Sequence, residues 1–322
     1  MVFVCLLLPL SVLHAQDAQP SPAELPPQLV KFTMIITDKK HHSVDDVRQE
    51  EIQLEEDKQA PAVVSFSKDL RSVDYALVLD TSGSFRKVLP VVVKTARILV
   101  NGNLAEDKTF VESFVSSDDI EKVQDFTADK AKLNAALDLL YVKGGQTAVV
   151  DAVYAAIKHT AEYKHGPAER RRAVVLFTDG EDRASYHKSE QLIKLIREND
   201  VQVFVVGLVK LLDREGSPTR RSPLERAELL LNLIAEESGG RAFFPEDLKE
   251  MSEAIAEIQH DLHSQYLISF ETQPKPGEKG FCKLKVKVAS SPGREKLTVI
   301  TRPGYLANVQ PRAKRSAEKK SQ

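Results

Sequence analysis

The chain has 322 residues, 42% hydrophobic and 29% charged, which is ordinary for a globular protein with a sizeable core. That length corresponds to about two domains, or to one large domain with appendages. A formal net charge of −2 gives no general attraction to nucleic acid or to an anionic membrane, and the sequence holds neither a G-x-x-x-x-G-K-[ST] phosphate loop nor a Cys/His cluster with zinc spacing.

Residues 1–15, MVFVCLLLPLSVLHA, read as an export signal. The apolar run from Val2 to Leu13 is too short to cross a bilayer as a helix, and Ala15 offers a small cleavage residue. A buried N-terminal element is the competing reading, because no Lys or Arg precedes the run and Leu13 is bulky for its position. No later segment approaches about 18 uncharged apolar residues, so no transmembrane helix is expected. Cleavage leaves Cys282 alone, without an internal disulfide; its alternating context, GFCKLKVKV, predicts a buried structural cysteine.

Residues 16–28 form a Pro-, Ala- and Gln-rich lead-in, expected to be flexible. Residues 29–71 are an N-terminal β segment, with strand-like VKFTMIITD and APAVVSFS around a polar middle, DDVRQEEIQLEED. Over 72–264 the pattern changes. Near-continuous apolar runs (YALVLD, FVESFV, AVVLFTD, VQVFVVGLV) alternate with helical segments such as LPVVVKTARILVNGNL, DKAKLNAALDLLY, SEQLIKLIREN and PLERAELLLNLIAEES. Strands of this kind are covered on both faces, which predicts an α/β fold, a doubly wound and mostly parallel sheet with helices on both sides. Residues 265–307 return to strands (QYLISFETQ, KLKVKVAS, LTVITRPGY), and 308–322 are a basic tail expected to be disordered. Neither β flank buries a face alone, so the two are expected to join in one β-sandwich, two separate small modules being the alternative.

In an open α/β sheet, ligands sit beyond the C-terminal ends of the strands. DTSGS (80–84) follows one such strand and TDGED (178–182) another, while GGQT (144–147) precedes a helix. The fold therefore brings three loops rich in Asp, Ser and Thr to one edge. Hard oxygen donors without Cys or His suit Mg²⁺, Mn²⁺ or Ca²⁺ rather than zinc.

Asp80-Thr-Ser82-Gly-Ser84, Thr147 of GGQT and Asp179 of TDG resemble, in order and spacing, the metal-ion-dependent adhesion site (MIDAS) of von Willebrand factor type A domains. The resemblance implies that Ser82, Ser84 and Thr147 are hydroxyl ligands, that Asp80 and Asp179 supply charge and fix waters, and that the cofactor is a divalent cation, Mg²⁺ foremost. It also implies a partner protein whose Asp or Glu side chain completes the coordination. The flanks resemble those of an exported bacterial family built around such a core and abundant in acidobacteria. There the front carries a V-x-V-T-D segment leading to an E-D-G turn, and the end reads R-x-G-Y. This chain has MIITD, then EEDK with Lys58 in place of the glycine, and Arg302-Pro-Gly-Tyr305.

Further candidates carry two readings each. Asp151, four residues after Thr147, is a helix residue and a candidate acceptor behind the site. Glu181 and Asp182 are candidates to bind a second ion or steer cations, or are solvated loop acids that Arg183 pairs with. Glu181 and Arg183 are also candidate partner contacts, as are Arg214, Arg220 and Arg221 in KLLDREGSPTRRSP, which follows a strand, borders the same edge and is otherwise a solvated loop. An enzyme is not expected: DTSGS lacks the G-x-S-x-G context, and a metal-dependent hydrolase would rest on Glu181 as its base. A subunit of a chelatase or another ATP-coupled complex is the remaining alternative, which the export signal opposes. The expected function is adhesion-type protein binding in the periplasm or outside the cell.

Overall fold

The computed structural model describes residues 27–164, 169–211, 221–273, 280–289 and 295–307; the stretch expected to be an export signal lies outside them. In chain order, β1 (Gln28–Thr37), β2 (Ile52–Glu56) and β3 (Val63–Asp69) precede β4 (Val73–Asp80). Then follow α1 (Leu89–Asn101), β5 (Lys108–Phe114), β6 (Ile120–Thr127), α2 (Lys130–Asp138), α3 (Val149–Glu162), β7 (Arg171–Thr178), α4 (Ser189–Glu198) and β8 (Gln202–Gly207). α5 (Pro223–Ser238), β9 (Ala242–Phe243) and α6 (Leu248–His263) complete the middle, and β10 (Gln265–Thr272), β11 (Phe281–Val288), β12 (Thr298–Ile300) and β13 (Gly304–Leu306) the end.

The middle is the doubly wound α/β fold that the apolar runs predict. Its sheet has the order β6-β5-β4-β7-β8-β9, parallel except for β6. Alternate residues of β4 supply two cores. Tyr75, Leu77 and Leu79 pack with α1, α2 and α6 on one face, and Ala76 and Val78 with α3, α4 and α5 on the other. The chain leaves β4 towards β5 on one side and returns at β7 on the other, so the loops after β4 and β7 diverge at the switch point where ligands bind. Local chemistry sets helix ends too. Ser222 accepts from the Glu225 N–H while Glu225 accepts from the Ser222 N–H, with Pro223 in the first turn, and α5 therefore starts there.

The flanks interleave. β1 and β3 from the front pair with β10 and β12 from the end in one antiparallel sheet, and in another β11 from the end lies between β2 of the front and β13. Both sheets line one apolar cluster that includes Phe32, Met34, Leu54, Ile268, Phe270 and Val286. The front and end signatures meet there, since the Tyr305 hydroxyl donates to Glu56, which also accepts from Thr272 at 2.8 Å.

Three details differ from expectation. β2 lies inside the stretch that reads as a polar middle, because Ile52 and Leu54 face inward while Gln53 and Glu55 face water. β6, an edge strand of mixed polarity, was hidden for the same reason. Cys282 is half-buried against the flanking core rather than fully enclosed.

Candidate metal centre

The three loops converge as their place after the strands requires. Asp80 is the last residue of β4 and fully buried; one carboxylate oxygen accepts from the Ser82 N–H at 2.9 Å and the other from the Thr178 hydroxyl at 2.8 Å. The Ser82 and Ser84 hydroxyls are 3.1 Å apart, Ser82 buried and Ser84 exposed. The second loop is held against the first by Lys143, whose N–H donates to the Thr81 carbonyl at 3.0 Å. Gly144 and Gly145 take φ of 82° and 101°, and a Cβ on Gly145 would lie 2.8 Å from Val115. The tight turn before Thr147 thus needs glycine both for its backbone and for its room. Thr147 is buried, and its carbonyl accepts from Arg183 and Ala184 of the third loop at 2.9 and 3.0 Å.

Asp179 lies 1% exposed just past β7. Its Oδ1 accepts from the Glu181 N–H at 3.0 Å, whereas its buried Oδ2 has no hydrogen-bond partner. Burial lifts its pKa above the ordinary carboxylate value, with the nearby Ser84 hydroxyl opposing the rise. Burial and then the charge of Asp179 lift Asp80 to about 7. Two neighbouring carboxylates whose charged forms burial disfavours, one with an unsatisfied oxygen, are a pair whose ionised state a cation would stabilise. Among the described residues no group of three or more His, Cys, Asp or Glu side chains is placed to hold a metal, so an ion here depends on the hydroxyls as well. The all-oxygen donor set fits a hard divalent cation.

Around this centre, Asp151 accepts from the Tyr186 and His187 N–H groups at 2.6 and 2.8 Å, from the His187 ring at 2.6 Å, and from the Ser117 hydroxyl. It thereby ties the third loop to α3, behind the site. Asp182 accepts from the Val150 N–H at 3.2 Å at the start of α3, so its carboxylate serves the fold. Glu181 pairs with Arg183 at 2.5 Å. Arg221 is exposed, its carbonyl taken by Arg226 at 2.7 Å; Arg214 and Arg220 lie outside the described residues. Sequence reasoning missed Ser117 and Thr178. Both sit just after or at the end of strands on this edge, and the SSDD run after β5 was the available signal.

The sequence profile of the von Willebrand factor type A domain matches residues 74–257. No curated protein matches the chain. Among solved structures, an aerotolerance-related membrane protein of Bacteroides fragilis is similar over 59% of this chain and 100% of its own, at 22% identity and a TM-score of 0.46. BatB of Bacteroides thetaiotaomicron is similar over 58% and 98%, at 21% identity and a TM-score of 0.44. Proximal thread matrix protein 1 of the mussel byssus, with zinc in its MIDAS motif, is similar over 62% of this chain and 48% of its own, at 19% identity and a TM-score of 0.47. Among the described residues no helix is long and apolar enough to cross a membrane. With that profile spanning more than half of its length and laid over the Asp80, Thr147 and Asp179 loops, the chain belongs to the von Willebrand factor type A domain family.

Proposed function

We propose that this protein is an exported binding module of the acidobacterial-type group, which captures an acidic side chain of another protein through a divalent cation held by Asp80, Ser82, Ser84, Thr147 and Asp179. The observation that carries this reading is the buried, partnerless Oδ2 of Asp179 beside a second buried carboxylate. A bound cation supplies positive charge and an open coordination position for a carboxylate. The chain's own part is to preorganise the donors. Thr178 and the Ser82 N–H fix Asp80, Glu181 N–H fixes Asp179, and Asp151 anchors the loop that carries it.

Mg²⁺ is the first candidate, with Mn²⁺ and Ca²⁺ next; zinc joins the test because the mussel protein holds it. We assign no catalysis: Glu181, the candidate base of a hydrolase, is paired with Arg183. The leader at residues 1–15 favours a periplasmic or extracellular protein over a subunit of an ATP-coupled complex.

The test is thermal unfolding in EDTA and then in each cation, for the parent and for Ser84→Ala. An ion at 100 times its Kd adds about 2.7 kcal/mol, a rise of roughly 5–10 °C for a domain of this size. The proposal predicts that rise in the parent and a smaller one in the variant. No rise with any ion, or equal rises in both proteins, would overturn it.

A further inference from the structure

The chain has seven tyrosines and no tryptophan. Tyr75, Tyr266 and Tyr305 are buried, and Tyr154 and Tyr163 are half-buried. The other two, Tyr141 at 65% and Tyr186 at 83%, are exposed, and no described phenylalanine is. Both of these exposed rings belong to the candidate metal edge. Tyr141 stands two residues before Lys143, whose N–H reaches the Thr81 carbonyl at 3.0 Å. Tyr186 stands two residues after Ala184, whose N–H reaches the Thr147 carbonyl at 3.0 Å. Two residues of chain span at most about 7 Å, so each tyrosine Cα lies within about 12 Å of a loop that carries proposed donors.

The two rings reach this edge from opposite faces of the sheet. Tyr141 follows α2, which packs on one face, and Tyr186 precedes α4, which packs on the other. Leu139, 68% exposed, extends the apolar surface on the first side. Of the proposed donors only Ser84 is exposed; Asp80, Ser82, Thr147 and Asp179 are buried, so an ion there is recessed. Charge around the recess is balanced. Lys143 is matched by Asp119 and Glu121 at 2.6 and 2.9 Å, and Arg183 by Glu181 at 2.5 Å. On the loops after β4, β5 and β7, through the first turn of α4, the other exposed charges are Arg86, Lys87 and Lys188 against Asp118, Asp182 and Glu190.

We propose that Tyr141 and Tyr186 are specificity-determining contacts of this site, and that its partner is a protein face on which a single Asp or Glu is flanked on both sides by large apolar side chains. The inference rests on the cation-dependent capture proposed above and names the surface that accompanies the acid. A standard interface takes about 800 Å² from each partner, a disc about 16 Å in radius, so one footprint centred on the donors covers both tyrosines. Exposed tyrosine suits the centre of such a footprint, because it offers a large ring with few rotatable bonds and a hydroxyl for the wet side. A free carboxylate reaches the cation without touching either ring. A highly acidic stretch finds no surplus of positive side chains beside it. An acid set among apolar side chains uses both the cation and the rings.

The experiment is selection on the full chain, in Mg²⁺, Mn²⁺ and Ca²⁺ together, of a displayed peptide library with Asp or Glu fixed at the centre, eluted with EDTA. Peptides of about 11 residues reach about 36 Å when extended, enough to pass over both rings. The enriched peptides should carry Leu, Ile, Phe or Met on each side of the acid. In fluorescence polarisation, Tyr141→Ser and Tyr186→Ser should each weaken the best peptide at least about fivefold. Both variants should keep the parent's Tm and its thermal shift on adding cation. Cation-dependent peptides that ignore both substitutions would overturn the role of the tyrosines and leave the metal reading intact. Peptides that need the tyrosines but bind equally well in EDTA would overturn the link to the cation. Enrichment of acidic stretches without apolar flanks would sink the proposal, as would a library that yields no binder. Cation-dependent self-association by light scattering, lost in Tyr186→Ser, would name a second copy as the occupant and overturn it too. No thermal shift with any cation in the parent would overturn both readings.

Discussion

Asp80→Asn replaces one of two buried carboxylates with a neutral side chain of the same shape. The amide oxygen still accepts the Ser82 N–H, and the Thr178 hydroxyl can turn to accept where it now donates. What disappears is charge. Burial and the facing Asp179 lift Asp80 from 3.8 to about 7, so without a cation the folded protein resists ionising it. At 1.36 kcal/mol per pH unit, that resistance destabilises the fold at pH 7 by at most about 4 kcal/mol. The buried amide carries its own desolvation cost, which leaves an expected gain of about 1–3 kcal/mol for the variant. In EDTA at pH 7 its Tm should therefore exceed that of the parent by roughly 3–9 °C. A raised carboxylate pKa contributes stability that is intact below 3.8 and lost as pH rises through about 7, so at pH 4 little but the amide's own cost remains and the variant should be the less stable by about 1–2 kcal/mol, the order reversing as pH rises to 7. A saturating cation reverses the order, because the parent gains about 2.7 kcal/mol at 100 times Kd and the variant, with half the charge, gains less. Thermal scans at pH 4, 5.5 and 7, with and without cation, read all of this. An Asp80→Asn protein less stable than the parent in EDTA at pH 7 would refute the like-charge reasoning.

Other perturbations separate fold from site. Glu112 on β5 is buried, its Oε1 has no partner, and burial lifts it to about 8 against the opposing charge of Lys122. Glu112→Gln should raise stability by about 1–3 kcal/mol at pH 7, through a gap that opens between pH 4.5 and 8; unlike the Asp80 effect, it should be the same in EDTA and in cation when followed by thermal scans. Lys58 sits at φ 70° in a two-residue turn, after Asp57 at φ 44°, with Glu56 and Gln59 exchanging hydrogen bonds at 2.7 Å. Lys58→Gly relieves the left-handed position and should add about 0.5–1 kcal/mol in urea unfolding. Asp261, fully buried near the end of α6, accepts from Arg241 at 2.7 Å and from Ser43 at 2.6 Å. Asp261→Ala leaves a buried guanidinium short of its partner and should cost about 3 kcal/mol by the same assay.

The α/β core was legible because its strands are buried on both faces, and such strands leave near-continuous apolar runs that here alternate with helical segments. β2 and β6 were not, for a physical reason: each is an edge strand whose polar side chains interrupt the apolar ones, with two of five side chains exposed in β2 and three of eight in β6, so its sequence reads as a polar stretch. The joining of the two flanks was legible only as an inference from size. The ties that fasten them, Tyr305 to Glu56 and Thr272 to Glu56, join residues more than 200 positions apart, and no local pattern announces them.

At the candidate metal edge, spacing picked out the proposed donors, which the fold brings together, but not what holds them. Asp80, Ser82 and Ser84 lie on one turn, so their order in sequence is nearly their order in space, and a motif can carry it. Asp151 and Ser117 act at a distance. Asp151 gathers two backbone N–H groups and the His187 ring from a loop 35 residues on, and Ser117 reaches it from the end of another strand. Sequence marks Asp151 as a helical acid and a candidate acceptor behind the site, four residues after Thr147, without naming the groups it holds. A site whose donors come from three loops keeps its geometry only if the loops are tied to one another, and here that tie is a carboxylate that need not touch the cation at all. Asp151 therefore bears on metal affinity through the position of Asp179, in the same way that the buried pair itself bears on stability: through charge placed where water cannot screen it.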